Sequence, residues 1–190
     1  TMSLLGKIAE AVIVRRCNED EEINKKWLSI ARRKPAKSKT AERFYAVGTG
    51  LIATKNKYST IYNPADTQRD IVWVDDEGML AMQKSSYTAG KYAGLQIKVS
   101  RNGMGYFFQD LCNLRYEVPV VYFDIAHDYD AVARELILSS RKELESTIVM
   151  EENFVRASAI DYRGYEEVCF YEELVMALVT GKITIKDLLM

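Results

Sequence analysis

Residues 94–103 read GLQIKVSRNG. Laid out as a strand, the stretch alternates: Leu95, Ile97 and Val99 make one apolar face, and Gly94, Gln96, Lys98 and Ser100 make the other. Arg-Asn-Gly then closes it as a turn. The first face belongs to a core. The second sets an amide and an ammonium side by side, two residues apart. A buried, unpaired lysine is costly, so Lys98 either reaches water or meets a carboxylate.

A carboxylate is available upstream. The run DIVWVDDEG opens with Asp70, continues through the apolar residues Ile71 to Val74 and ends in a turn signal. If the two strands are neighbours, Asp70, Gln96 and Lys98 converge at one end of a sheet. A carboxylate and a neutral amide oxygen suit Mg²⁺, a hard ion that takes oxygen ligands. The backbone carbonyl of Ile97, between Gln96 and Lys98, is a further oxygen within reach of the same ion. A lysine there orients or deprotonates a water, or steadies charge on a phosphate.

The rest of the chain frames this pair of strands. Residues 3–16 and 23–33 carry helical stripes, with an acidic run, NEDEE, at 18–22 between them. Pro35 breaks a basic joint at 32–39, and AERFYAVGTGLIATK from Ala41 reads as a third helix despite Gly48 and Gly50. MLAMQ at 79–83 is a candidate strand, and MGYFFQDL at 104–111 is a strand or the start of a helix. EVPVVYFDI at 117–125 is strand-like throughout. Residues 128–145 predict a helix with Asp128 as N-cap. VRASAIDY at 155–162 predicts a strand, followed by helical pieces near 165–179 and 184–190. This order predicts an α/β or α+β fold with a mixed central sheet flanked by helices. Residues 1–39 form an N-terminal helical segment, and residues 40–190 a core with a C-terminal helical extension, together one compact domain.

The run from Asp70 through DDEG, followed after a short interval by AGLQIK, resembles the core of the PD-(D/E)xK nuclease superfamily. It is most similar to the Mrr-like branch, in which glutamine stands in the acidic place of the ExK element. EVPVVYFDI and the helix after it extend the resemblance over residues 40–140. The resemblance implies a restriction-endonuclease-like core and a Mg²⁺- or Mn²⁺-dependent endonuclease hydrolysing phosphodiester bonds. DNA is the implied substrate, in a prokaryotic or phage defence or restriction setting. It also implies a catalytic set of Asp70, Gln96, Lys98 and Glu42, the last from a helix ahead of the first catalytic strand. The metal would be held by Asp70, Gln96 and Ile97. Two departures stand out: Arg69 precedes Asp70 where the family has proline, and Gln96 lacks a charge. The alternative is a nuclease-like fold that no longer cuts and acts as a binding or partner-recognition protein.

Composition narrows the classes. The chain has 190 residues, is 48% hydrophobic and carries a formal net charge of −1, so no broad basic surface advertises nucleic acid. Cys17, Cys112 and Cys169 lie far apart without CxxC pairing, which argues against a disulfide framework or a zinc site. With no apolar run long enough for a membrane span and no secretory leader, the expectation is a cytoplasmic protein without a membrane partner, with a homodimer or a partner protein left open. There is no GxGxxG and no Walker loop. Asp66, Asp75 and Asp76 rival Asp70 for the metal, with turn preference as their competing explanation. The basic residues Arg32, Arg33, Lys34, Lys37 and Lys39 are phosphate-contact candidates, as Tyr106, Phe107 and Phe108 are for base stacking. His127, the single histidine, has no nucleophile at a telling spacing.

Overall fold

The computed structural model describes residues 2–84, 90–140 and 152–189. Its elements are α1 (Met2–Glu19), α2 (Glu21–Arg32), α3 (Ser38–Arg43), β1 (Tyr45–Gly48), α4 (Ile52–Lys57), β2 (Ile71–Val74), β3 (Gly94–Ser100), α5 (Gly103–Tyr106), α6 (Phe108–Cys112), β4 (Val120–Asp124), α7 (Tyr129–Ser140), β5 (Phe154–Arg156), α8 (Ala157–Ile160) and α9 (Tyr162–Val179). A 3₁₀ turn at Lys186–Leu188 follows. The fold is α+β, with one mixed sheet flanked by helices. The strand order is β1-β2-β3-β4-β5, antiparallel through β3 and parallel from β3 to β5.

Both faces of the sheet are covered, which is why its central strands are apolar nearly throughout. On one face Leu95, Ile97, Val99, Val121 and Phe123 pack with Ile71 and Trp73 against α1 and α2. On the other, Val120 and Tyr122 meet Phe107, Phe108, Val132 and Leu136 from α5 to α7. The N-terminal helices are therefore one wall of the core; α1 lies against β1, β3 and α9.

Local chemistry sets the helix ends. Asp20 accepts from the Glu22 and Ile23 N–H groups, capping α2, and Arg33 in the left-handed region (φ 53°) ends it. Asn24 pins α2 to its surroundings. Its amide donates to the carbonyls of Ala41 (2.9 Å) and Phe44 (2.8 Å), and its oxygen accepts from Trp73 Nε1 (2.7 Å).

Several expectations change. The third helix, from Ala41 to Lys55, is instead a short helix, a strand and another short helix. Tyr45–Gly48 pairs in register with Ile71–Val74, so sheet pairing overrides helical pattern there. The candidate strand 79–83 forms only isolated bridges, Val74 to Leu80 and Met82 to Tyr92. Residues 104–111 are helical. The strand expected at 155–162 ends at Arg156 and turns into α8. The helix at 128–145 is described to Ser140, with the remainder outside the described residues. Asp128 immediately precedes α7, its carbonyl accepting from Val132 N (3.0 Å), and its carboxylate accepts from Gly103 N (2.7 Å) and Tyr122 OH (2.6 Å). Among the described residues, no helix is long and apolar enough to cross a membrane.

Candidate active site

Asp70 immediately precedes β2 and is held on both sides by backbone. Its N–H donates to the Leu95 carbonyl (2.8 Å), and its carbonyl accepts from Thr49 N (2.8 Å). Its carboxylate turns toward β3. Oδ2 accepts from Gln96 Nε2 at 2.6 Å and from the Ile97 N–H at 2.7 Å. Gln96 is buried, and its Oε1 has no hydrogen-bond partner among the described residues. In an extended strand a residue's N–H and C=O leave by the same edge, so the Ile97 carbonyl faces the Asp70 side.

Lys98 completes the group. Its ammonium lies 4.9 Å from the Tyr116 ring centroid and 5.7 Å from that of Tyr106. Burial pushes its pKa down, opposed by the carboxylates of Asp70 and Asp110. Burial pushes the Asp70 carboxyl up, opposed by the Ile97 N–H, Lys7 and Lys98. Burial draws both groups toward neutrality, and the charge of each opposes the shift of the other. The structure thus joins Asp70 to Gln96 by a hydrogen bond and sets Lys98 within range of the Asp70 charge.

Glu42 does not join them. It is exposed on α3, a helix that ends one residue later. Two other carboxylates act on this group through charge: Asp66, which raises the Asp70 carboxyl, and Glu10, on α1, whose own carboxyl the charge of Asp70 raises. Glu10 is 1% exposed; its Oε1 accepts from Gly50 N (3.1 Å), and its Oε2 pairs with Lys7 Nζ (2.5 Å). Burial pushes the Glu10 carboxyl up; Lys7 and the Gly50 N–H oppose this, and the negative charge of Asp70 adds to it. Gly48 makes room for this carboxylate, since a Cβ there would lie 2.5 Å from Glu10 Oε1. A signal for Glu10 was present in the sequence: it is an acid inside the apolar helical run Ile8 to Val14.

Several of the other candidates have structural partners. Asp66 accepts from the N–H groups of Gln68 and Arg69 and pairs with the Arg69 side chain (3.3 Å). Asp75 closes the turn to Met79 and pairs with Arg43 (2.7 Å), while Asp76 is exposed. From the basic run, Arg33 reaches the Glu117 carbonyl and Asn153 Oδ1. Phe107 and Phe108 are core residues, whereas Tyr106 is half exposed. His127 Nδ1 lies 3.4 Å from Tyr165 OH. The three cysteines are free thiols. Among the described residues, no three His, Cys, Asp or Glu side chains group to hold a metal; any cation here must also take amide and carbonyl oxygens. Comparison with protein-family models, with curated proteins and with solved structures found no match to this chain.

Proposed function

We propose that this chain is a divalent-metal-dependent nuclease acting on phosphodiester bonds in DNA, with a restriction-endonuclease-like core. The observation that carries the reading is the orphaned, buried oxygen of Gln96 beside the Asp70 carboxylate, with Lys98 two residues on. A buried oxygen without a partner is costly; next to a carboxylate it suits a hard cation. The mixed sheet flanked by helices is compatible with that core. The defence or restriction setting rests on the sequence resemblance alone.

Mg²⁺ or Mn²⁺ fits the donor chemistry. Asp70, Gln96 and the Ile97 carbonyl would hold it, with Glu10 replacing Glu42 as the second carboxylate. When bound, such an ion acidifies a coordinated water and offsets phosphate charge. Lys98, biased toward its neutral amine by burial, accepts a proton from the attacking water or, when charged, donates to a phosphate oxygen. A half-turn of the Gln96 amide exchanges its nitrogen and oxygen positions. The side chain therefore donates to Asp70 without a cation and presents oxygen with one.

A second reading is a nuclease-like fold that binds a partner without cutting. It is favoured by Asp70 Oδ2 being satisfied already by two N–H donors. The test is cleavage of linear and supercoiled DNA with Mg²⁺, Mn²⁺ or chelator. Metal-dependent cutting that is lost in Asp70→Asn supports the nuclease. No cutting with any metal removes it.

A further inference from the structure

The face of β3 that carries the site has a cation laid over a tyrosine ring on each side of Asp70. Gly94, Gln96 and Lys98 share that face at spacings of about 6.6 Å. At the Gly94 end, the stem of Arg69 rests on the strand, since a Cβ on Gly94 would meet Arg69 Cγ at 3.1 Å and Cδ at 3.2 Å. The Arg69 guanidinium, paired with Asp66 at 3.3 Å, then lies 5.9 Å from the Tyr92 ring centroid. At the other end, Lys98 lies against Tyr106 and Tyr116, and the Arg115 guanidinium, paired with Asp110 at 2.9 Å, is 5.7 Å from the Tyr116 ring. Tyr92 is 49% exposed and Tyr106 50% exposed, although neighbouring Phe107 and Phe108 are buried. These two rings are left in water at the site while adjacent aromatics fill the core.

The arrangement suits one form of nucleic acid. In a duplex the bases stack on one another, and the outside offers phosphates, which a broad cationic surface reads. A chain of net charge −1 does not supply that generally. Flat rings beside cations suit a strand whose bases are unpaired, with rings stacking on bases and cations following phosphates. Lys98 is also half-buried beside its two tyrosines, so a phosphate paired with it lies close to both rings. Resting on the nuclease reading above, we propose that the site takes a single DNA strand with unpaired bases, threaded between the Arg69–Tyr92 pair and the Lys98–Tyr106–Tyr116 group. Tyr106 is the exposed stacking platform.

The test is fluorescence anisotropy of a labelled 20-nucleotide single strand and of the same sequence as a duplex. Ca²⁺, another oxygen-seeking ion, replaces Mg²⁺ so that binding is read without cleavage. The single strand should bind about tenfold tighter or more. Tyr106→Ala should weaken it by ~5- to 150-fold, the effect of losing one base–aromatic stack, and Tyr106→Phe should restore it. Because Tyr106 is half exposed, a thermal melt should show the Ala variant folded as wild type. Duplex binding equal to or tighter than single-strand binding overturns this inference and leaves the nuclease standing. Unchanged single-strand affinity in Tyr106→Ala does the same. Binding of neither form overturns both.

Discussion

Replacing Asp70 by Asn separates the charge of its carboxylate from its hydrogen bonds. Oδ2 accepts from Gln96 Nε2 at 2.6 Å and Ile97 N at 2.7 Å, and an Asn oxygen in the same rotamer keeps both. What Asn removes is a desolvated charge, since burial holds the Asp70 carboxyl above its ordinary range. A raised folded pKa contributes stability that is fully present below the unfolded pKa and lost as pH rises through the folded one. Wild type loses that contribution as its buried carboxyl ionises. Asp70→Asn should therefore match or exceed wild type in stability at pH 7, with the gap closing as pH falls through carboxylate titration. Asp70→Ala differs, because it strands two donors, on the buried residues Gln96 and Ile97. At about 1–3 kcal/mol per unsatisfied buried donor, and with water entering at the half-buried Asp70 position, the expected loss is about 2–4 kcal/mol. Urea unfolding at pH 5 and pH 7 measures both variants, and metal-dependent cleavage should vanish in both. Were Asn to destabilise as much as Ala, with no closing of the gap at low pH, the carboxylate charge would be a structural necessity and the site reading would fail.

Lys98→Ala should abolish cleavage while unfolding stays cooperative, whereas Leu95→Ala or Ile97→Ala, on the opposite face, should lose about 2–5 kcal/mol; a melt showing Lys98→Ala as the more damaging change would make Lys98 structural. Gln96→Glu sets a second carboxylate where the amide now donates to Asp70 at 2.6 Å. Like charges at that range repel, so its melting temperature should fall in chelator and recover with Mg²⁺, with cleavage at low Mg²⁺ equal to or above wild type. Gln96→Leu, lacking the oxygen, should lose cleavage, and identical Mg²⁺ titrations for wild type, Glu and Leu variants would show that residue 96 touches no metal. Glu10→Gln should raise the Mg²⁺ needed for half-maximal cleavage roughly tenfold or more, while Glu42→Gln leaves the titration where it is; the reverse result would return the role to Glu42.

How far the fold was legible depends on how each segment is buried. The strands around Val72 and Ile97 and the helix from Tyr129 announced themselves through runs and periods strong enough to survive their surroundings. Tyr45–Gly48 did not, because four residues within a helix-like pattern hold no period of their own, and only pairing with Ile71–Val74 makes them a strand. At Arg156 the opposite occurred: the run to Tyr162 looked extended, yet β5 pairs with β4 only through Arg156 and the chain then turns helical.

The sequence by itself determined the face of β3. Alternation with period two places Gln96 and Lys98 together and apart from Leu95 and Ile97 whatever the strand packs against, because successive side chains of any strand point opposite ways. It also determined that Asp70 heads an apolar strand, and so lies where strand meets loop. Tertiary structure alone decided that Glu10 shares an electrostatic neighbourhood with Asp70. Glu10 precedes Asp70 by sixty positions and comes within range of its charge because α1 packs on β1 and β3, with Gly48 and Gly50 leaving space and an N–H for its carboxylate. Glu42, nearer in sequence, is exposed on a helix that ends at Arg43. Sequence spacing specifies neighbours within one element; neighbours across elements follow from which apolar faces are buried against each other, a property of the whole core.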